Sequence, residues 1–104
     1  MSTERLCALD ELTSGAAGRF DVGGHRLAVV RLDDDVYVIG DRCSHQNVSL
    51  YEGDVISDTR QLECWKHGSA FSLETGEPSS LPATKAVPVY DVKVIDGDVW
   101  VEIP

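Results

Sequence analysis

The apolar and polar positions of this chain fall into short runs of the kind that make strands. Residues 26–32 (RLAVVRL) form a β-branched apolar run, and residues 36–39 (VYVI) form a second one after the acidic triplet Asp33-Asp34-Asp35. Three carboxylates between two such runs mark a solvated turn. Residues 20–22 (FDV) before Gly23-Gly24 give another short strand and turn. Toward the C-terminus, residues 87–95 (VPVYDVKVI) alternate apolar with polar, and Asp96-Gly97-Asp98 leads into Val99-Trp100-Val101, a hairpin signature. No 3.6-residue apolar period persists, and residues 9–12 offer one helical turn at most. Between the strand groups, from Gly40 to about Pro82, the chain is rich in loop formers: Gly53, Gly68, Gly76, Pro78 and Pro82. The pattern predicts an all-β protein, with a β-sheet base (residues 1–40 and 85–104) and an inserted loop-rich subdomain at about 41–84. Loops that bear function on a rigid scaffold are the usual arrangement. Tyr90 and Trp100 fall in the strand patterns as core or half-core residues, and His25, after the Gly23-Gly24 turn, is expected at the surface.

A chain of 104 residues without internal repeat or linker suits one domain with one modest core. Hydrophobic residues at 42% and charged residues at 26% are ordinary for a soluble globular protein. The first six residues (MSTERL) carry no basic segment followed by an apolar run, and no stretch approaches a membrane span, so the expected location is the cytoplasm. Eighteen acidic residues against nine basic ones leave a formal charge of −9. Such a surface repels nucleic acid and anionic membranes and favours a basic protein partner, although solubility alone also explains it.

The chemistry lies in two Cys–His pairs. Cys43-Ser44-His45 is a C-x-H, and Cys64-Trp65-Lys66-His67 is a C-x-x-H, separated by the 18 residues 46–63. Two thiolates and two imidazoles on two loops make a four-ligand metal site. This is the ligand set of a [2Fe–2S] centre in which two His replace two Cys on one iron. Cys₂His₂ also suits tetrahedral zinc, but zinc fingers pair C-x₂₋₄-C with H-x₃₋₅-H, whereas each loop here supplies one Cys and one His. A catalytic Cys–His pair needs one cysteine and leaves the second pair unexplained. Cys7, the third cysteine, stands in an apolar segment and reads as a small buried hydrophobe.

These loops resemble those of the Rieske ferredoxin family, and the resemblance reaches past the four ligands. Leu50 stands where the first loop often has leucine, Gly68 follows the second histidine, and Phe71, Thr75-Gly76 and Pro78 match the family's aromatic residue, its turn and a proline-bearing loop over the cluster. The specific part spans residues 43–82. It implies a Rieske-like antiparallel β-sandwich base with the inserted subdomain holding one [2Fe–2S] cluster, Cys43 and Cys64 binding one iron and His45 and His67 the other. Two positions depart from the pattern: Asn47 replaces a glycine, and Trp65 replaces a proline after the second cysteine. Asn tolerates a left-handed backbone, so the turn survives. Trp65 either shields the cluster or packs on the base, and packing is the expectation. High-potential relatives carry an extra disulfide; its positions here hold Val48 and Lys66.

The resemblance also implies a potential. Two ferric ions, two sulfides and two thiolates carry no net charge, so an electron enters more easily than into an all-thiolate anion. Rieske centres accordingly span about −150 to +300 mV, against about −400 mV for plant-type ferredoxins. In high-potential relatives a serine and a tyrosine donate hydroxyls to the cluster; here those places hold Ser69 and Phe71. The expected potential lies in the lower half of the range, and Phe71→Tyr should raise it in a voltammetric titration.

The function expected from this resemblance is single-electron transfer, not catalysis. A Rieske oxygenase adds a mononuclear iron held by two histidines and a carboxylate. With two of three histidines taken by the cluster, His25 alone cannot supply that site. The partners implied are a flavin-dependent NAD(P)H reductase and a terminal oxygenase or other redox protein, docking near His45 and His67 on a monomer. Six acids (Glu52, Asp54, Asp58, Glu63, Glu74, Glu77) against Arg60 and Lys66 in residues 43–78 offer a rim for a basic partner. The alternatives are a ferredoxin serving iron–sulfur assembly and a zinc-stabilised interaction module.

Overall fold

The strand-forming runs become ten short strands in the computed structural model, which describes residues 2–42, 49–65, 68–79 and 85–103. They are β1 (Ser2–Ala8), β2 (Ala16–Val22), β3 (His25–Leu32), β4 (Asp35–Gly40), β5 (Asp54–Ile56), β6 (Gln61–Glu63), β7 (Ala70–Ser72), β8 (Val89–Tyr90), β9 (Val92–Ile95) and β10 (Asp98–Ile103). All named pairings are antiparallel. One sheet runs β1-β10-β9, a second β2-β3-β4-β8, and a third β5-β6-β7. Among the described residues the helical elements are two 3₁₀ turns, Leu9–Glu11 and Leu50–Glu52.

Strand β3 is the middle layer. Leu27 and Val29 point to one side, where they pack with Val38, Val101 and Ile103 against the β1-β10-β9 sheet. Ala28, Val30 and Leu32 point to the other, where they meet Ile39, Leu50, Leu62, Phe71, Leu73 and Val87. Alternate side chains of a strand face opposite ways, so a strand covered on both faces must be apolar throughout, as residues 27–30 are.

Tight turns join the longest strands. Gly23 and Gly24 both take positive φ (57° and 82°), as do Asp96 and Gly97 (52° and 80°), the geometry that matches the twist of two-residue hairpins. The run at residues 87–95 is not one strand. It divides at Asp91: β8 pairs with β4, whereas β9 pairs with β10. Pro88 and Asp91 interrupt the run, and the chain crosses between sheets there. Strands β1, β5, β6 and β7 carried no clear signal in the sequence. The three in residues 54–72 are three residues long, too short for alternation to show.

Candidate metal centre

Of the four expected ligands, Cys64 lies among the described residues; Cys43, His45 and His67 lie outside them. No group of three or more His, Cys, Asp or Glu able to hold a metal occurs among the described residues. Cys64 follows β6 directly. It is 1% exposed, packed in the cluster formed by Leu50, Leu62, Phe71 and Leu73. Strand β6 places it there: Leu62 and Cys64 share one face of the strand, and that face is inward.

The second loop closes on its own backbone. The Cys64 N–H donates to the Ser69 carbonyl (2.6 Å), and the Gly68 N–H donates to the Cys64 carbonyl (2.9 Å). Residues 64 and 69 are thereby pinned together around the C-x-x-H segment. Ser69 is buried, and Phe71 is fully buried at the centre of the core on β7. Phe71 also bridges Pro78, and the Ser79 N–H donates to the Ala70 carbonyl (2.8 Å), so the proline segment lies alongside β7. The Thr75-Gly76 turn is held by the Gly76 N–H on the Ser72 carbonyl (2.8 Å). Gly53 meets β6 so closely that an added Cβ would stand 1.7 Å from the Glu63 carbonyl oxygen. That contact seats residues 52–54 against the strand that delivers Cys64.

Trp65 corrects the expectation that it packs on the base: it is 52% exposed, beside a fully buried neighbour. Cys64 takes the inward position, so the next side chain faces solvent. His25 is half-buried rather than free at the surface. Its ring meets Tyr90 edge-on (5.9 Å between centroids), with Nδ1 3.3 Å from the phenol oxygen. Burial pushes the Tyr90 phenol up from its ordinary value. Cys7 is buried as expected, and that burial, followed by the Glu11 charge, pushes its thiol up.

Sequence reasoning missed Asp41. It is fully buried, directly after β4 and two residues before Cys43. Oδ1 accepts from the Tyr51 N–H (2.9 Å), while the Asp41 carbonyl accepts from the Leu50 N–H (2.5 Å). Arg26 Nη2 stands 3.6 Å from Oδ2 and donates to Ser49 Oγ (2.9 Å). An acid at the end of a buried apolar strand and just before a ligand was the available signal.

The described residues fit a [2Fe–2S] group. A buried cysteine on a backbone-pinned loop, in apolar surroundings, suits a sulfur-rich cluster that must be kept from water. The donor set, with one thiolate and one imidazole per loop, suits unequal irons better than a closed zinc site.

Comparison with known proteins agrees. The Rieske [2Fe-2S] domain model matches residues 2–91. The 3-phenylpropionate/cinnamic acid dioxygenase ferredoxin subunit of Escherichia coli K12 is 36% identical over 98 residues, covering 94% of this chain and 91% of that protein. The ferredoxin of carbazole 1,9a-dioxygenase from Nocardioides aromaticivorans IC177 superposes with a TM-score of 0.94 at 36% identity, covering 97% of each chain. The ferredoxin in a complex of reduced oxygenase and oxidised ferredoxin of carbazole 1,9a-dioxygenase superposes at 0.87 with 37% identity, covering 95% of this chain and 91% of that one. Burial, loop geometry and likeness converge: the chain belongs to the Rieske [2Fe–2S] domain family, its cofactor is a Rieske-type cluster, and its work is electron transfer rather than catalysis of its own.

Proposed function

We propose that this chain is the ferredoxin component of a multicomponent non-haem iron oxygenase that attacks aromatic rings. In this reading Cys43 and Cys64 hold one iron and His45 and His67 the other, on a subdomain of residues 41–84 inserted into a base of residues 1–40 and 85–104. The bound cluster supplies a one-electron couple. The chain's own residues shape its surroundings: Phe71 and Leu62 exclude water on the inner side, Ser69 is the candidate hydroxyl donor, and Pro78 flanks the cover. Trp65, exposed beside Cys64, borders the face where a partner arrives.

A flavin-dependent NAD(P)H reductase and a terminal oxygenase would dock in turn near His45 and His67. Such encounters bury little area, typically under about 1,200 Å². Among the described residues, no ion pair engages Glu52, Asp54, Asp58, Glu63, Glu74 or Glu77. Their charge is therefore free to steer a basic partner. No helix among the described residues is long and apolar enough to cross a membrane. The reading places the chain in the cytoplasm as a monomer.

The observation that carries this reading is the buried Cys64 on its pinned loop, in a chain 36% identical to a carbazole dioxygenase ferredoxin over nearly its whole length. The test is an EPR spectrum of the dithionite-reduced protein, followed by reconstitution with a reductase and a ring-hydroxylating oxygenase. A rhombic signal of low average g and turnover that slows as ionic strength rises are expected. A colourless, zinc-bearing protein would reject the cluster, and a salt-independent rate would reject steering.

A further inference from the structure

The described segments on either side of residues 43–48, the stretch that carries Cys43 and His45, lie side by side. Arg42 bridges Ser49, and Asp41 binds the N–H groups of both Leu50 and Tyr51. The Asp41 N–H in turn donates to the Arg26 carbonyl (3.0 Å), which fixes this neck to β3. The carboxylate is 0% exposed, and among the described residues Oδ2 has no hydrogen-bond donor; Arg26 Nη2 at 3.6 Å and Arg19 Nε at 4.0 Å face it as charges. Burying an ion is costly even when it is paired. An asparagine would accept from Tyr51 equally well without that cost, so hydrogen bonding alone does not account for the charge.

We infer that Asp41 is a positioning residue for the first metal-binding loop and that its buried negative charge holds the reduction potential down. Its oxygens tie residue 41 to residues 50 and 51, so the two described segments that flank the expected ligands Cys43 and His45 are held together. Its charge, shielded from solvent ions, opposes the entry of an electron nearby. The inference rests on the electron-carrier reading. An EPR signal in the unsubstituted protein establishes that reading separately.

The test compares Asp41→Asn, Asp41→Ala and Arg26→Met, each loaded with its cluster. Midpoint potential, EPR g values and the first-order loss of visible absorbance are measured. Asp41→Asn should raise the midpoint while keeping the cluster at close to the original rate, because the amide oxygen still accepts from Tyr51. Asp41→Ala removes the acceptor of the Tyr51 N–H and should shed the cluster roughly tenfold faster, with altered g values. Arg26→Met removes a cation and should lower the midpoint. An unchanged midpoint in Asp41→Asn overturns the electrostatic half. Retention and g values in Asp41→Ala equal to those of the unsubstituted protein overturn the positioning half. If Asp41→Ala does not fold, opposite shifts in Asp41→Asn and Arg26→Met decide the electrostatic half, and cluster loss from Arg26→Met, which also frees Ser49, decides the positioning half.

Discussion

The strands of residues 2–40 and 85–103, the proposed base, and the region of residues 49–79 achieve order in different ways. In the base, β2, β3, β4 and β10 are six to eight residues long, and facing sheets close over Leu27, Val29, Val38, Val101 and Ile103. In residues 49–79 the strands are three residues each, and local backbone bonds do much of the holding: Gly68 to Cys64, Gly76 to Ser72, Ser79 to Ala70. Short strands bury few residues apiece, so that region leans on one aromatic plug, Phe71, and on ligation. A bound metal ties loops together as a folding element in its own right.

Removing the cluster gives the largest test of this contrast. Cys64→Ser, or chelation of the reduced protein, should abolish visible absorbance and speed amide exchange across residues 50–79, while β3 and β10 stay protected. Uniform loss of protection would erase the distinction. Next come the two cores. Phe71→Ala should cost about 3–5 kcal/mol and Leu27→Ala about 2–5 kcal/mol in urea unfolding, but Phe71→Ala alone should hasten cluster loss. A smaller pair compares two glycines. Gly53→Ala drives a methyl into the Glu63 backbone and should cost at least about 1–3 kcal/mol by overpacking. Gly97→Ala meets open space and pays only for its positive φ, about 1–2 kcal/mol.

The smallest effect is a pH dependence from Cys7 on β1 and Tyr90 on β8. Cys7 and Tyr90 are acids whose neutral forms are favoured by burial, so their folded pKa values lie above the ordinary 9.0 and 10.0. From 9.0 upward for Cys7 and from 10.0 upward for Tyr90 the folded state then binds more protons than the unfolded state, and stability falls as pH rises through each group's raised folded value. Denaturant midpoints should be flat from pH 7 to about 8.5 and decline above about 9. Cys7→Ala should flatten the lower part of that decline.

Much of the base was legible because most of its long strands, β1 excepted, carry a pattern of their own: RLAVVRL announces a strand covered on both faces, and Asp96-Gly97 announces a hairpin. The break at Asp91 was not legible, because β8 and β9 share one alternation and differ only in which sheet receives them. In the site, the Cys–His spacing and the surrounding Gly68, Phe71 and Pro78 showed the chemistry. The inward turn of Cys64, the exposure of Trp65 and the burial of Asp41 did not show, since each depends on which face of a strand end meets the core.

The sequence by itself determined the kind of metal group and the all-β class, because ligand chemistry and strand periodicity are local properties of residue type and spacing. Only the tertiary structure decided that Asp41 lies fully buried at the neck of the first loop beside two arginines. That decision depends on chain segments distant in sequence meeting across β3, and no local pattern encodes such a meeting.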